Sequence, residues 1–198
     1  MKRLHRPDLF AWSVFHEPLN VDFNGFLWTR PEGNVLFDPV AMSPHDRAHL
    51  RELGGAAWIV LTNSAHVRAT AELVAAFGAK VAGPRQERDA FPLRCDRWLA
   101  DGEEVFPGLT AFELEGSKTP GELALFLAPE TLLAGDLVRA HRAGSLMFLL
   151  PQQGLRDAAK ARASVARLLE RPIDAVLVGD GFCVYRDGKR ELEALVRG

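Results

Sequence analysis

The chain has 198 residues, of which 47% are hydrophobic and 25% charged, with a formal net charge of -2. That length suits one substantial core, read as a single domain over residues 1–198. A balance so near neutrality excludes an electrostatic footprint for nucleic acid or an anionic membrane, and apolar runs such as 146–150 are far too short to span a bilayer.

The first third reads as strands. Trp12–Phe15, Val21–Thr29 and Asn34–Asp38 are rich in aromatic and β-branched residues. Asn24–Gly25 is read as a bulge, and Arg30–Asn34 as a hairpin loop. Ser43 and Pro44 then set an N-cap and first helical position for a helix that ends at Gly54–Gly55. A buried strand at Trp58–Leu61 leads into a helix over about 65–77, closed by Gly78, and Lys80–Ala82 is another short strand. His45 and His49 sit at i,i+4 spacing, but without a third ligand nearby they read as a solvated helix face.

An Asp-Gly turn at 101–102 opens the second half. Strands are expected at Leu109–Leu114, Leu123–Leu127 and Thr131–Ala134, a helix over about 155–170, a buried strand at Ala175–Val178 and a last helix over 188–196. Each half passes from paired strands to strand–helix units. The fold class this predicts is α/β, a four-layer αββα sandwich of two mixed sheets with helices outside. The two cysteines, Cys95 and Cys183, have no metal-ligand spacing and cannot build a disulfide framework. With no secretory h-region, the expectation is reduced thiols in the cytoplasm.

Four fragments fall at expected strand ends. They are Val-Leu-Phe-Asp-Pro (35–39), the 58–62 strand entering a helix, Gly-Ser-Lys-Thr-Pro-Gly-Glu (116–122) with Gly-Asp at 135–136, and Gly-Asp-Gly at 179–181. In this order they resemble the metallo-β-lactamase superfamily from about residue 20 to 182. The resemblance implies an αββα sandwich in which Thr62, Ser117, Asp136 and Asp180 gather at one edge. It also implies a binuclear zinc or iron site there, whose hydroxide attacks an ester, amide, thioester or phosphodiester.

Carried over residue by residue, that ligand set is lost. Asn63, Ala65, Val67 and Arg68 stand at the His, His, Asp and His positions, Lys118 at the next histidine and Asp180 at the last. Asp136 alone matches, at the bridging aspartate. Ala65 and Val67 have no donor atoms, and Arg68 and Lys118 are cations. The expectation is therefore no metal and no other cofactor. Arg68, Lys118 or both should pair with Asp136 or Asp180, as Arg68–Asp136 or Lys118–Asp180.

Three functions follow as expectations. The first is a metal-free module that binds a small anionic molecule through Asn63, Arg68, Lys118, Arg139 and Arg142. The second is a hydrolase with a rearranged single-metal or metal-free site, its candidate groups Asp136, Asp180, His66 and His141. The third is a protein–protein association module. His66 is read as half exposed, near a helix start.

Overall fold

The computed structural model describes all residues, 1–198. In chain order its elements are β1 (Lys2–Arg3), β2 (Leu9–His16), β3 (Val21–Trp28), β4 (Val35–Phe37), α1 (Pro44–Glu52), β5 (Trp58–Val60), α2 (Thr70–Phe77), β6 (Lys80–Pro84) and β7 (Arg97–Leu99). There follow β8 (Glu104–Phe106), β9 (Leu109–Glu113), β10 (Leu123–Leu127), β11 (Thr131–Ala134), β12 (Val138–Arg142), β13 (Ser145–Phe148), α3 (Ala158–Leu168), β14 (Ala175–Val178) and α4 (Gly188–Arg197). β1 to β7 form one sheet in chain order, antiparallel up to β4 and parallel from β4 to β7. The second sheet has the order β14-β11-β10-β9-β8, in which only β11 and β14 are parallel. β12 and β13 make a separate hairpin.

The alternation of apolar side chains assigns the layers. In β4, Val35 and Phe37 enter the core between the sheets, while Leu36 faces the helix side with Leu50 of α1 and Leu73 of α2. In β10, Leu123, Leu125 and Leu127 point between the sheets. Ala124 and Phe126 point outward to Ala161, Val165 and Leu168 of α3 and Leu192 of α4. Both faces of each central strand are thus buried, so these strands read as continuous apolar runs rather than alternating ones. Each fully buried Leu, Val or Phe contributes about 1.5–3 kcal/mol by leaving water. The expected αββα architecture is the observed one.

Three local readings need correction. Gly25 is not in a bulge, because β2 and β3 pair without a register shift. Its role is to admit the Trp12 ring, which is buried and donates to the Val40 carbonyl at 3.0 Å. The expected 65–77 helix is broken into a 3₁₀ turn at Ser64–His66 and α2, with Arg68 between them at φ +34°. A left-handed residue there cannot continue a right-handed helix. The β12–β13 hairpin, β1, β7 and β8 were not legible as strands, being short or mixed in polarity. The Ser43 cap forms as expected, its Oγ accepting from the Asp46 N–H at 3.0 Å.

A Cβ on Gly25 would lie 2.6 Å from Trp12 Cζ2. Gly25→Ala should therefore lower stability by about 1–3 kcal/mol, the usual effect of overpacking. A urea midpoint equal to that of the wild type would show that the ring moves aside freely.

Candidate functional site: a buried ion-pair cluster at the strand ends

The site is built from loops that leave β4, β5, β11 and β14 at their C-terminal ends. β4 and β5 run parallel in one sheet, and β11 and β14 run parallel in the other, so their ends converge at one edge. Cross-sheet hydrogen bonds fix the approach. The Leu123 N–H donates to the Thr62 carbonyl at 2.7 Å, and Asn24 Nδ2 donates to the Val178 carbonyl at 2.9 Å. Two glycines make room. A Cβ on Gly135 would sit 2.5 Å from Thr62 Oγ1, and one on Gly179 would sit 2.8 Å from His66 Cε1. The Gly-Asp pairs at 135–136 and 179–180 thus combine two roles: the glycine lets a facing side chain close in, and the aspartate after it pairs with cations, Asp136 with Lys118 and Arg139, Asp180 with Arg68 and Arg139.

Asp136 lies at the centre, fully buried. Its Oδ1 accepts from Arg139 Nη2 at 2.8 Å, and its Oδ2 from Lys118 Nζ at 2.7 Å and Asn63 Nδ2 at 3.1 Å. His66 Nε2 is 3.4 Å from the same Oδ2. Asp180 Oδ1 accepts from Arg68 Nη2 at 2.8 Å, and its Oδ2 lies 3.0 Å from Arg139 Nη2. Arg139, only 4% exposed, therefore bridges both aspartates. Behind them Asp38, held at φ +43°, accepts from the Thr62 N–H at 2.8 Å, the Thr62 hydroxyl at 2.5 Å and His66 Nδ1 at 2.7 Å. Buried Glu122 accepts from the Asp136 and Leu137 N–H groups at 2.6 and 2.7 Å and from the Ser117 hydroxyl.

These contacts set the protonation of the cluster. Burial alone would raise the Asp136 carboxyl, but His66 and Lys118 overcome it and hold the group well below the usual carboxylate range. Burial would depress His66, and Arg68, whose Nη2 is 3.0 Å from Nε2, acts the same way. Asp38 and Asp136 outweigh both and lift the ring from 6.5 to about 9. Glu122 goes from 4.5 to about 7, through burial first and then the charge of Asp136. The cluster opens on a cavity of about 270 Å³, walled on one side by Leu19, Phe23 and Leu149.

The profile of the metallo-β-lactamase superfamily matches residues 1–198. The chain belongs to the metallo-β-lactamase superfamily. Among solved structures it is similar to TTHA1623 in a di-iron-bound form, with TM-score 0.71, 23% identity, and 93% of this chain and 98% of that one covered. It is also similar to the metallo-β-lactamase FIM-1 from Pseudomonas aeruginosa in its mono-zinc form (0.70, 15%, 96% and 90%) and to a metallo-β-lactamase from Pontibacter korlensis (0.75, 15%, 99% and 98%). At these identities the likeness is one of fold. No curated protein matches the chain significantly in sequence.

The superfamily implies a metal, and the residues present do not fit a binuclear one. Every carboxylate oxygen of Asp38, Asp136 and Asp180 already meets an N–H or O–H group. Asp38, Asp136 and Asp180 face Arg68, Lys118, Arg139 and the protonated His66, so side chains already supply the positive charge these carboxylates need. At an effective dielectric of about 20, unit charges 4 Å apart interact by about 4 kcal/mol, so a divalent ion would meet about twice that from each cation left in place.

The structure brings Asn63, His66, Arg68, Lys118, Asp136, Arg139 and Asp180 together. The two named pairs are crossed: Arg68 meets Asp180 and Lys118 meets Asp136. His66 is buried, not half exposed, because Asp38 draws its ring inward. His141 and Arg142 are exposed on β12 and do not line the cavity. Simple alternation would put His141 on the face of Arg139, but the β12–β13 pairing shifts register between Arg139 and Arg142, and of the three charged or titratable side chains only Arg139 lines the cavity. Asp38 and Glu122 lay within the quoted motifs as mere strand-end and turn residues, although both belong to the cluster.

Arg68→Ala should cost about 3–5 kcal/mol at neutral pH by leaving Asp180 short of a partner, whereas the exposed Arg142→Ala should be nearly neutral. The Arg68 loss should shrink in acid as carboxylates protonate. Equal melting temperatures at pH 7 would reduce Arg68 to a solvated residue.

The raised His66 gives a second expectation. Its stabilisation is complete below 6.5 and is lost as pH climbs through about 9. Depressed Asp136 acts oppositely, stabilising above its ordinary 3.8 and failing on acidification. Chemical denaturation should show stability declining between pH 6.5 and 9, and His66→Gln should flatten that decline. An unchanged slope in the variant would assign the alkaline loss elsewhere.

Proposed function

We propose that this chain is a metal-free member of its superfamily that binds a small anionic molecule in the cavity at the strand ends. The observation that carries this is Lys118. Its ammonium reaches Asp136 at 2.7 Å while the side chain stays 31% exposed at the cavity. An ammonium has three N–H donors, so Asp136 leaves others for a ligand. Arg139 lines the same space. The apolar wall of Leu19, Phe23 and Leu149 suits a ligand with an apolar body and one anionic head. With His66 protonated, Arg68, Lys118, Arg139 and His66 face Asp38, Asp136, Asp180 and a partly ionised Glu122, which leaves a small positive excess that suits a singly charged head over a more highly charged one. A reduced, cytoplasmic setting suits the two free thiols, Cys95 and Cys183; no helix is long and apolar enough to cross a membrane.

Hydrolysis is less well supported. With its pKa at about 9, His66 is mostly protonated at neutral pH and cannot take a proton from water. The Thr62 hydroxyl, 3.2 Å from its Nδ1, is buried and donates to Asp38. Association with another chain has one observation in its favour, the exposed Val14 and Phe15 on β2 with Phe182 and Tyr185 beyond β14. Sedimentation at rising concentration tests it.

For the main reading, calorimetry with benzoate and phenyl phosphate, with benzamide as neutral control, is the direct experiment. Benzoate should bind, benzamide should not, and Lys118→Ala should weaken benzoate by about tenfold or more. Equal binding of benzamide, or no binding of either anion, would remove the anion site. About two equivalents of zinc, iron or manganese retained at Asp136 through dialysis would remove the metal-free reading.

A further inference from the structure

β2 is only half covered along its outer side. β3 pairs with it from Leu9 to His16, whereas β1 pairs with it only at Phe10 and Ala11. Beyond that point Ser13, Val14 and Phe15 are exposed in succession, on both faces of the sheet. Their neighbours fix the direction of the backbone groups. The Leu9 carbonyl accepts from the Leu4 N–H on the outer side, and Asn24, which faces Ser13, turns its own N–H away from β2 to the Gly179 carbonyl. These groups alternate along an antiparallel ladder, so Leu9, Ala11, Ser13 and Phe15 all present N–H and C=O outward. Lys2 faces Ala11, and no backbone group of the chain meets those of Ser13 and Phe15.

This open edge lacks the usual protection. Residues 12–15, Trp-Ser-Val-Phe, include no charge, proline or glycine, and three of the four favour strands. Other edges are guarded: β1 carries Lys2 and Arg3, Val184 bridges to β14, and Arg97 of β7 donates to the Val105 carbonyl of β8. We infer that the open edge of β2 pairs with the same edge of a second copy of this chain, antiparallel and about a two-fold axis through Val14. Ser13 of each copy then faces Phe15 of the other, and each pair exchanges both of its N–H···O bonds. An axis at Ser13 would need Ala11, which β1 occupies, and one at Phe15 would set Ser13 against Glu17, which has left the strand. Phe15 of the second copy lies beside Ser13, at a cavity of about 580 Å³ lined also by Ala11, Phe26, Phe182 and Tyr185, an apolar seat for its ring. Glu17 of the second copy arrives where β1 stops, next to Lys2 of opposite charge; Met1 has turned aside there, its amine on Asp46. The inference rests on the association reading above and is independent of the anion site.

Sedimentation velocity of the full chain at rising concentration should show a weak, concentration-dependent dimer, since so short a strand pairing belongs with transient interfaces. Val14→Lys should weaken it by about tenfold or more and leave the melting temperature near that of wild type, because Val14 is exposed. Ser13→Pro, which removes an outward N–H that the chain itself does not use, should weaken it likewise. Cysteine variants read the register, with the wild type and its own thiols as control. Val14→Cys should cross-link to itself under mild oxidation, since Val14 faces its own copy at a Cα separation of about 4.5 Å. Ser13→Cys and Phe15→Cys should cross-link when mixed and not when alone. A monomer at every concentration, with no Val14→Cys cross-link, would remove the association reading and this edge together. A dimer that persists in Val14→Lys and Ser13→Pro would keep association and overturn the pairing through β2. Ser13→Cys or Phe15→Cys cross-linking alone as readily as Val14→Cys would overturn the axis at Val14.

Discussion

The edge of this sandwich depends on one buried guanidinium. Arg139 is pinned by its own Nε on the Asp136 carbonyl at 3.1 Å and extends Nη2 to the carboxylates of both Asp136 and Asp180. Asp136 follows β11 and Asp180 follows β14, adjacent parallel strands whose ends lie side by side. Two carboxylates so placed repel each other and would have to protonate or move apart. A fixed cation between them lets both stay ionised and buried. Arg68 and Lys118 extend the arrangement to the first sheet and to the loop before β10. Such a cluster is better regarded as a constraint on geometry than as a large source of stability, since removing three cations from water is itself costly.

The backbone bends to meet that constraint. Asp38 and Arg68 both have positive φ, a conformation that costs non-glycine residues of order 1–3 kcal/mol. Each is held by what it reaches. Asp38 receives two donors from Thr62 and one from His66, and Arg68 donates to the Asn24 and Asp38 carbonyls as well as to Asp180. The break between the 3₁₀ turn and α2 follows from this, because Arg68 must leave the helical path to turn its guanidinium into the cleft. Gly135 and Gly179 serve the same end by letting Thr62 and His66 approach closely.

The metallo-β-lactamase superfamily provides the frame in which these residues meet, and the side chains decide what the frame can do. Structures similar to this one include a di-iron and a mono-zinc protein, at 23% and 15% identity. The core between the sheets needs only apolar side chains of suitable volume at alternate positions, a requirement many sequences meet. The edge is less permissive. A change there must keep the carboxylates countered, and Lys118, Arg68, Arg139 and the protonated His66 facing three aspartates is one arrangement that does so without an ion.

The sequence by itself determined the layers. The runs at 35–37, 58–60, 123–127 and 175–178 are apolar on both faces, and such strands must lie in the middle of a covered sheet. It also determined the order of the strand-end motifs and the residue types in them, from which the loss of histidine ligands and the presence of cations could be read directly. Tertiary structure alone decided the pairing. Which cation meets which aspartate depends on side-chain reach across a gap between two sheets, and no local pattern encodes that distance. The same holds for His66, whose burial comes from Asp38, 28 residues earlier in the chain. It holds for His141 and Arg142, which share a strand with Arg139 but are exposed, beyond a shift of register that the sequence does not announce. A strand fixes the alternation of its side chains; the neighbour across the gap fixes which of them has a partner.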